Sequence, residues 1–170
     1  HPILDMIMPF VTKFKNWIPV LFIWILYIVY RDKKTGILFI ITAGIMILIN
    51  DQFCCSILKP FFGRLRPCIA LEDVRLLASR KSTFSFPSGH GANSAAIAVL
   101  SGFIYPYTRK IIIPIVIIVG YSRIYIGVHY PLDVIGGFCL GGIMGYIFYK
   151  IYQAAEKKWI KKENYAHLRN

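Results

Sequence analysis

Clustered carboxylates are missing from this chain. Its 170 residues include 8 Asp and Glu against 20 Lys and Arg. The acids that fall near the polar motifs described below are scattered: Asp5, Asp51, Glu72, Asp73 and Asp133. Mg²⁺ and two-metal centres need several carboxylates at one place. The sequence therefore predicts a site that uses neither a metal ion nor a cofactor.

Metal-ligand spacing is also absent from the four cysteines, which are Cys54, Cys55, Cys68 and Cys139. We therefore interpret the cysteines as small apolar side chains within a packed membrane bundle. The chain has no internal repeat, no low-complexity tract and no domain linker. We therefore expect one domain over residues 1–170.

Apolar residues dominate what is present, at 56% of the chain with a mean hydropathy of +0.57. This composition excludes an ordinary soluble domain. A helix needs roughly 17 to 25 apolar residues to cross a bilayer. Five stretches reach or approach that length, namely 17–30, 36–58, 91–107, 110–121 and 131–152. The predicted fold is an all-α, polytopic membrane helix bundle of about five spans.

The first sixteen residues mix apolar side chains with charges and Pro9, which favours a helix lying in the membrane surface. Lys13 and Lys15 before the apolar run from Trp17 would also suit a cleaved signal sequence. Basic residues rather than a small-residue cleavage site follow that run, so we favour a retained span. A sixth, upstream span is left open.

The formal charge of +12 would suggest nucleic acid in a soluble protein, but here the basic residues flank apolar spans, where they set orientation. We therefore expect no nucleic-acid partner. Five spans place eleven basic residues on one side: Arg31, Lys33, Lys34, Arg109, Lys110, Lys150, Lys157, Lys158, Lys161, Lys162 and Arg169. The basic tail 153–170 is accordingly predicted to be cytoplasmic, and the opposite ends of the spans face outward.

Glycines recur every fourth residue in the last predicted span, at Gly137, Gly141 and Gly145. This spacing lets membrane helices approach closely. We interpret it as packing inside the bundle, with a dimer seam as the alternative.

Three polar motifs fall on the predicted outward side. They are residues 59–67, 86–90 and 122–133. The first two delimit a connector of about thirty residues, and a loop that long usually has a function. Within this outward loop, residues 71–81 place apolar side chains at helical spacing, which predicts a short surface helix.

His129 and Asp133 stand four residues apart across a helix start that Pro131 suits. A carboxylate beside an imidazole fixes the position of the ring proton and leaves the other nitrogen as base or nucleophile. Alone, such a pair is more often a satisfied polar contact.

Residues 87–90 read Pro-Ser-Gly-His. A proline and small residues at a helix start expose backbone N–H groups that bind anions. Ser88 adds a hydroxyl, Gly89 allows close approach, and His90 could protonate a leaving oxygen. A plain helix start with a chance histidine is the alternative.

Lys59, Arg66 and Arg123 complete the set, because ammonium and guanidinium groups hold phosphoryl oxygens. They could instead be membrane-interface cations, the interpretation that we favour for Arg64, Arg75, Arg80 and Lys81. Together the motifs predict metal-free phosphoryl transfer through a histidine.

The three motifs resemble the type 2 phosphatidic acid phosphatase (PAP2) superfamily, whose pattern is K-x6-R-P, P-S-G-H and S-R-x5-H-x3-D. Every spacing is matched here, from Lys59 to Asp133. The resemblance implies that His129 is the nucleophile, oriented by Asp133, and that His90 is the acid and then the base. It implies that the phosphate is held by Lys59, Arg66, Ser88, Gly89 and Arg123. Many membrane members have six spans.

A site at the ends of membrane helices favours a lipid phosphate as substrate and membrane lipids as partners, with no obligate protein partner inferred. The motifs suit lipid A, phosphatidylglycerol phosphate, phosphatidic acid and undecaprenyl pyrophosphate alike. Surplus cations favour a large, multiply charged headgroup and hence the 1-phosphate of lipid A, although they could equally bind bulk anionic lipid. These cations are Lys13, Lys15, Arg75, Arg80 and Lys81. The expected location is the bacterial inner membrane, with a periplasmic site.

Two other functional classes remain. A vanadium haloperoxidase shares the family's site, but those relatives are soluble. A transporter or channel could use Arg123, His129 and Asp133 as a charge relay. Against transport, these residues fall at span ends and match the spaced motifs.

Overall fold

The computed structural model describes residues 1–79 and 84–167, with side chains to residue 159. Every regular element in these ranges is helical. The α-helices are α1 (Pro2–Thr12), α2 (Ile18–Arg31), α3 (Lys33–Gln52), α4 (Lys59–Phe62), α5 (Pro67–Ala70), α6 (Gly89–Ile104), α7 (Arg109–Tyr125) and α8 (Pro131–His167). Short 3₁₀ turns cover Phe14–Trp17 and Pro106–Thr108, and a π-helical segment, Phe53–Leu58, joins α3 to α4.

Three helical stretches of the described chain are long and apolar enough to cross a membrane: Phe14–Arg31, Lys33–Ala70 and Pro131–Trp159. The other two predicted spans are helices too, but α6 has 16 residues and α7 has 17. Large apolar side chains such as Ile111 and Ile117 of α7 are exposed, as expected of a surface that faces lipid. The all-α membrane bundle is confirmed.

Helix starts follow the local chemistry of the sequence. Asp32 ends α2 and caps α3, where its carboxylate accepts hydrogen bonds from the Lys34 and Thr35 backbone N–H groups at 3.1 and 3.2 Å. Ser88 caps α6 in the same way. Pro131 opens α8, where its missing N–H costs nothing.

The main core lies where α2, α3, α6 and α8 meet, around Phe39, Met46, Leu100 and Phe148. A second, smaller cluster at the end of the bundle where α7 ends joins Met8 of α1 to Ile126 and Val128, which follow α7. The N-terminal helix therefore packs on the end of the bundle where α7 ends.

The glycine repeat of α8 faces α6. A Cβ added at Gly137, Gly141 or Gly145 would come within 2.1–2.6 Å of the carbonyl oxygens of Ser88, Ala92 and Ala96. Only glycine permits this approach, so the repeat packs the bundle internally, as predicted.

The predicted surface helix over 71–81 is wrong in its described part, since residues 71–79 form turns and irregular chain. Its apolar side chains Leu76, Leu77 and Ala78 pack against the Met8 cluster instead. The Leu77 N–H donates to the Ile126 carbonyl at 3.2 Å. Gly127 has a positive φ of 79°, and a Cβ there would lie 2.7 Å from the Arg75 carbonyl oxygen. Tertiary contact with the loop after α7 therefore replaces helical hydrogen bonding.

Candidate active site

The three polar motifs meet at one end of the bundle. The first follows α3 and the π-helical segment, the second opens α6, and the third runs from the end of α7 into α8. Two non-covalent contacts join these segments. The Ser88 N–H donates to the Asp133 carbonyl at 2.9 Å, and the Cys54 thiol contacts the Pro87 carbonyl at 3.6 Å.

His129 and Asp133 form the buried heart of the site, with 3% and 0% of their surfaces exposed. Nδ1 of His129 lies 3.5 Å from Oδ2 of Asp133. The same Oδ2 accepts a hydrogen bond from the Tyr130 N–H at 2.8 Å, which fixes the carboxylate. Contacts of this kind are often long before substrate binds.

Arg66 covers the other ring nitrogen of His129. One of its guanidinium nitrogens lies 3.2 Å from Nε2 and also donates to the Val128 carbonyl at 2.9 Å. Because a guanidinium only donates, Nε2 is the acceptor and carries no proton. The ring proton then sits on Nδ1, on the Asp133 side, which is the tautomer that leaves Nε2 nucleophilic.

Burial lowers the pKa of His129 to about 4, because an imidazolium is poorly solvated there. The nearby Asp133 carboxylate opposes this change, whereas Arg66 and Arg123 add to it. The imidazole is consequently neutral at physiological pH.

Arg123 is buried in the last turn of α7, with 5% of its surface exposed. It donates a hydrogen bond to the Thr12 hydroxyl of α1, while its Nε has no hydrogen-bond partner among the residues that the structure describes. Sequence reasoning did not find Thr12, since nothing in a lone threonine predicts contact with a residue 111 positions away.

The start of α6 places Ser88 and Gly89 in buried positions. The Ser88 hydroxyl accepts from the Gly91 N–H at 3.4 Å. His90 is half-buried in the first turn. This helix start therefore presents backbone N–H groups and a histidine at the end of the bundle that holds His129.

Lys59 opens α4 and is 8% exposed, an unusual burial for an ammonium group. It lies just beyond the π-helical segment, whose Cys54 contacts Pro87. The lysine thus belongs to the chain segment that borders the second motif.

Arg64 corrects one interpretation. Its interpretation as a membrane-interface cation is wrong, because its guanidinium lies 3.0 Å from Oδ1 of the buried Asp133. It also lies over the Tyr130 ring, 4.1 Å from the centroid. The family pattern leaves position 64 free, so no motif signal could have identified it.

A cavity of about 860 Å³ adjoins the site. Its wall includes His90 and Arg123 together with Thr12, Lys13 and Lys15 from the N-terminal segment. Two of the predicted headgroup cations therefore line the same space as two predicted site residues.

The other headgroup candidates are placed differently. Arg75 forms an ion pair with Asp5, with N–O distances of 3.1 and 2.8 Å. Arg80 and Lys81 lie outside the described residues. Across residues 1–79 and 84–159, no three His, Cys, Asp or Glu side chains group closely enough to hold a metal ion.

Comparison with known proteins supplies the family. The model of the PAP2 superfamily matches residues 36–157, which include all three motifs. The chain belongs to the PAP2 superfamily. It is a membrane lipid phosphatase of that superfamily.

A relative from Porphyromonas gingivalis, named lipid A 4'-phosphatase, is 32% identical over 98% of this chain and 74% of its own length. The crystal structure of Aquifex aeolicus LpxE matches with a TM-score of 0.67 and 34% identity, covering 88% of this chain and 87% of that one. The transmembrane PAP2-type phosphatidylglycerolphosphate phosphatase of Bacillus subtilis matches with the same TM-score at 28% identity, over 91% and 79%.

Proposed function

We propose that this phosphatase hydrolyses a lipid phosphate through a phosphohistidine on Nε2 of His129. One observation carries the proposal: the imidazole is held between a donor-only guanidinium at Nε2 and a carboxylate near Nδ1. That arrangement keeps the nucleophilic nitrogen unprotonated and aimed at an anion-binding group.

In the first step, Nε2 attacks phosphorus and the bond from phosphorus to the leaving oxygen breaks. His90 donates a proton to that oxygen, so the alcohol or phosphate leaves neutralised. In the second step, His90 takes a proton from water, the hydroxide attacks phosphorus, and the N–P bond breaks. Inorganic phosphate and the starting imidazole result.

Five groups would hold the phosphoryl oxygens: Lys59, Arg66, Arg123, the Ser88 hydroxyl and the Gly89 N–H. Arg66 would exchange its contact with Nε2 for a phosphate oxygen as substrate enters. The fixed positive charge of the lysine and the two arginines stabilises the transition state directly, so we propose that hydrolysis needs no metal ion.

The proposed substrate is a phosphate of lipid A, and the sequence prediction of the 1-phosphate stands as the first candidate. Lys13 and Lys15 support a multiply charged headgroup, because they line the cavity that reaches His90 and Arg123. The 4'-phosphate is the second candidate, favoured by the name of the Porphyromonas relative. We further propose that the site faces the periplasm from the bacterial inner membrane.

The test is phosphate release in detergent, with chelator present, from lipid A bearing both phosphates and from the three other lipids named above. Mass analysis of the lipid A product identifies which phosphate is lost. We expect release from lipid A, abolished in His129→Ala and unchanged in His1→Ala, where the histidine is exposed at the N-terminus.

Phosphate release from one of the other lipids but not from lipid A would overturn the assignment of lipid A as the substrate. Full activity in His129→Ala would overturn the nucleophile, and loss with chelator that Mg²⁺ restores would overturn metal independence. Ion flux that survives His129→Ala, without phosphate release from any lipid, would support transport.

A further inference from the structure

Asp133 has a partner besides His129. Its Oδ1 accepts a hydrogen bond from the Arg64 guanidinium at 3.0 Å, while Oδ2 receives the Tyr130 N–H and faces His129. The carboxylate is fully buried, whereas 37% of the arginine side chain is exposed. Each carboxylate oxygen therefore has its own partner, and the arginine holds the oxygen that does not face the imidazole.

Arg64 is itself held in place. Its carbonyl accepts hydrogen bonds from the Ser85 N–H at 2.7 Å and from the Ser85 hydroxyl at 3.1 Å. Its guanidinium lies over the Tyr130 ring. Gly63, with a φ of 58°, ends α4 and turns the chain into this position. A cation that only contacts lipid headgroups would not need its backbone and its side chain both held in place.

The charges around His129 are few and come from separate elements. Asp133 belongs to α8, Arg123 to α7, and Arg66 to the chain before α5. Arg64 adds a positive charge on the far side of Asp133. An arginine at that place offsets part of the attraction that the carboxylate exerts on an imidazolium.

Resting on the proposed histidine mechanism, we propose that Arg64 is a positioning residue for hydrolysis. It fixes the rotation of the Asp133 carboxylate and tempers its charge, so that His129 is oriented without being protonated. It touches neither the phosphate nor the leaving group.

The consequence is specific. Without Arg64, Oδ1 loses its partner, so the carboxylate is held through Oδ2 alone by the Tyr130 N–H and attracts a proton on His129 more strongly. Turnover should fall because the imidazole is less well oriented, whereas substrate binding should change little. The acidic limb of kcat/KM should move to higher pH, because His129 then protonates more readily.

The test compares Arg64→Leu, Arg64→Gln and Arg64→Lys with the parent over the acidic pH range, using the lipid that the parent hydrolyses. We expect Arg64→Leu to lower kcat about 10-fold at neutral pH, with KM within about twofold, and to move the acidic limb up by about one pH unit. Arg64→Lys should keep the limb of the parent. Arg64→Gln can still donate to Oδ1 but carries no charge. It should therefore restore most of kcat, while its acidic limb stays at a higher pH than that of the parent.

The control Arg31→Leu removes the same charge from the end of α2, where the guanidinium lies 6.0 Å from the Tyr27 centroid. It should leave kcat and the limb unchanged. A second comparison introduces Arg64→Leu into Asp133→Asn, where its further effect on kcat should fall within about twofold because the two residues act as a unit.

The positioning role would be overturned if the acidic limb moved in none of the three Arg64 variants. It would also be overturned if Arg64→Leu lowered kcat as much in the Asp133→Asn background as in the parent. If Arg64→Leu fails to fold in detergent, Arg64→Gln and Arg64→Lys answer the same question. Failure of the histidine mechanism shows separately, because full activity of His129→Ala concerns the parent site and not Arg64.

Discussion

The two histidines of the site occupy contrasting surroundings. His129 is 3% exposed and is held between Arg66 and Asp133 before any substrate arrives. His90 is half-buried and lines the large cavity. A nucleophile must be in one place and one protonation state, whereas an acid that later activates water must meet solvent. On the proposed mechanism, the protein therefore keeps the nucleophilic imidazole away from solvent and places the acid beside the cavity.

Removing the acid tests the open side of this comparison. We expect His90→Asn to lower kcat about 10³-fold for a lipid phosphate, because the alkoxide then leaves without a proton. A phosphate ester with a nitrophenol leaving group should lose much less, since nitrophenolate leaves unaided. Equal losses for both substrates, measured by phosphate release, would remove the acid role from His90.

Neutralising Asp133 tests the buried side. Asp133→Asn should reduce kcat about 10²-fold, because the ring proton is no longer fixed on Nδ1 while the nucleophile remains. Steady-state kinetics should show KM nearly unchanged. A loss as complete as that of His129→Ala would instead mean that the carboxylate takes part in the chemistry.

Acid titration separates the buried imidazole from an ordinary one. With a pKa of about 4, His129 stays neutral at pH 5, so kcat/KM should lose little of its neutral value there. A histidine with the usual pKa of about 6.5 would be mostly protonated at pH 5, and the rate would fall roughly 30-fold. A limb near pH 6.5 in a pH profile of kcat/KM would contradict the burial argument.

The smallest expected effect concerns the cavity wall. Lys13→Ala and Lys15→Ala should each raise KM for doubly phosphorylated lipid A about fivefold, since one surface cation contributes about 1 kcal/mol to binding an anionic headgroup. Lipid A with a single phosphate and the control Lys110→Ala, at the other end of the bundle, should show little change. Equal increases for both lipids would identify general attraction to anionic lipid instead.

Most of the bundle was predictable because apolar length and helix-start chemistry are local. Pro131, Ser88 and the glycines of α8 each have the structural role that the sequence indicates. The helix over 71–81 failed because its apolar spacing serves contacts with α1 and the loop after α7. Periodicity alone does not distinguish those two uses of the same side chains.

The residues of the site can likewise be divided into those that the sequence predicts and those that it does not. The spaced motifs predict the meeting of Arg66, His129 and Asp133, because each is a fixed position of the family pattern, although Arg66 lies 63 residues from His129. Arg64 and Thr12 were not identified, because the family pattern leaves position 64 free and does not include Thr12. Their contacts depend on how separate segments pack.

The glycine contact between α6 and α8 sets the distance between the two helix ends that carry the site. Both helices begin at the site, one with Ser88 and the other next to His129, and Gly141 is ten residues, about 15 Å, below Pro131. The distance between the two starting points is thus determined in the interior of the bilayer, where salt and pH do not reach. A methyl group added at that depth would push the two helices apart and move the proposed acid, His90, away from the proposed nucleophile, His129, without contacting either.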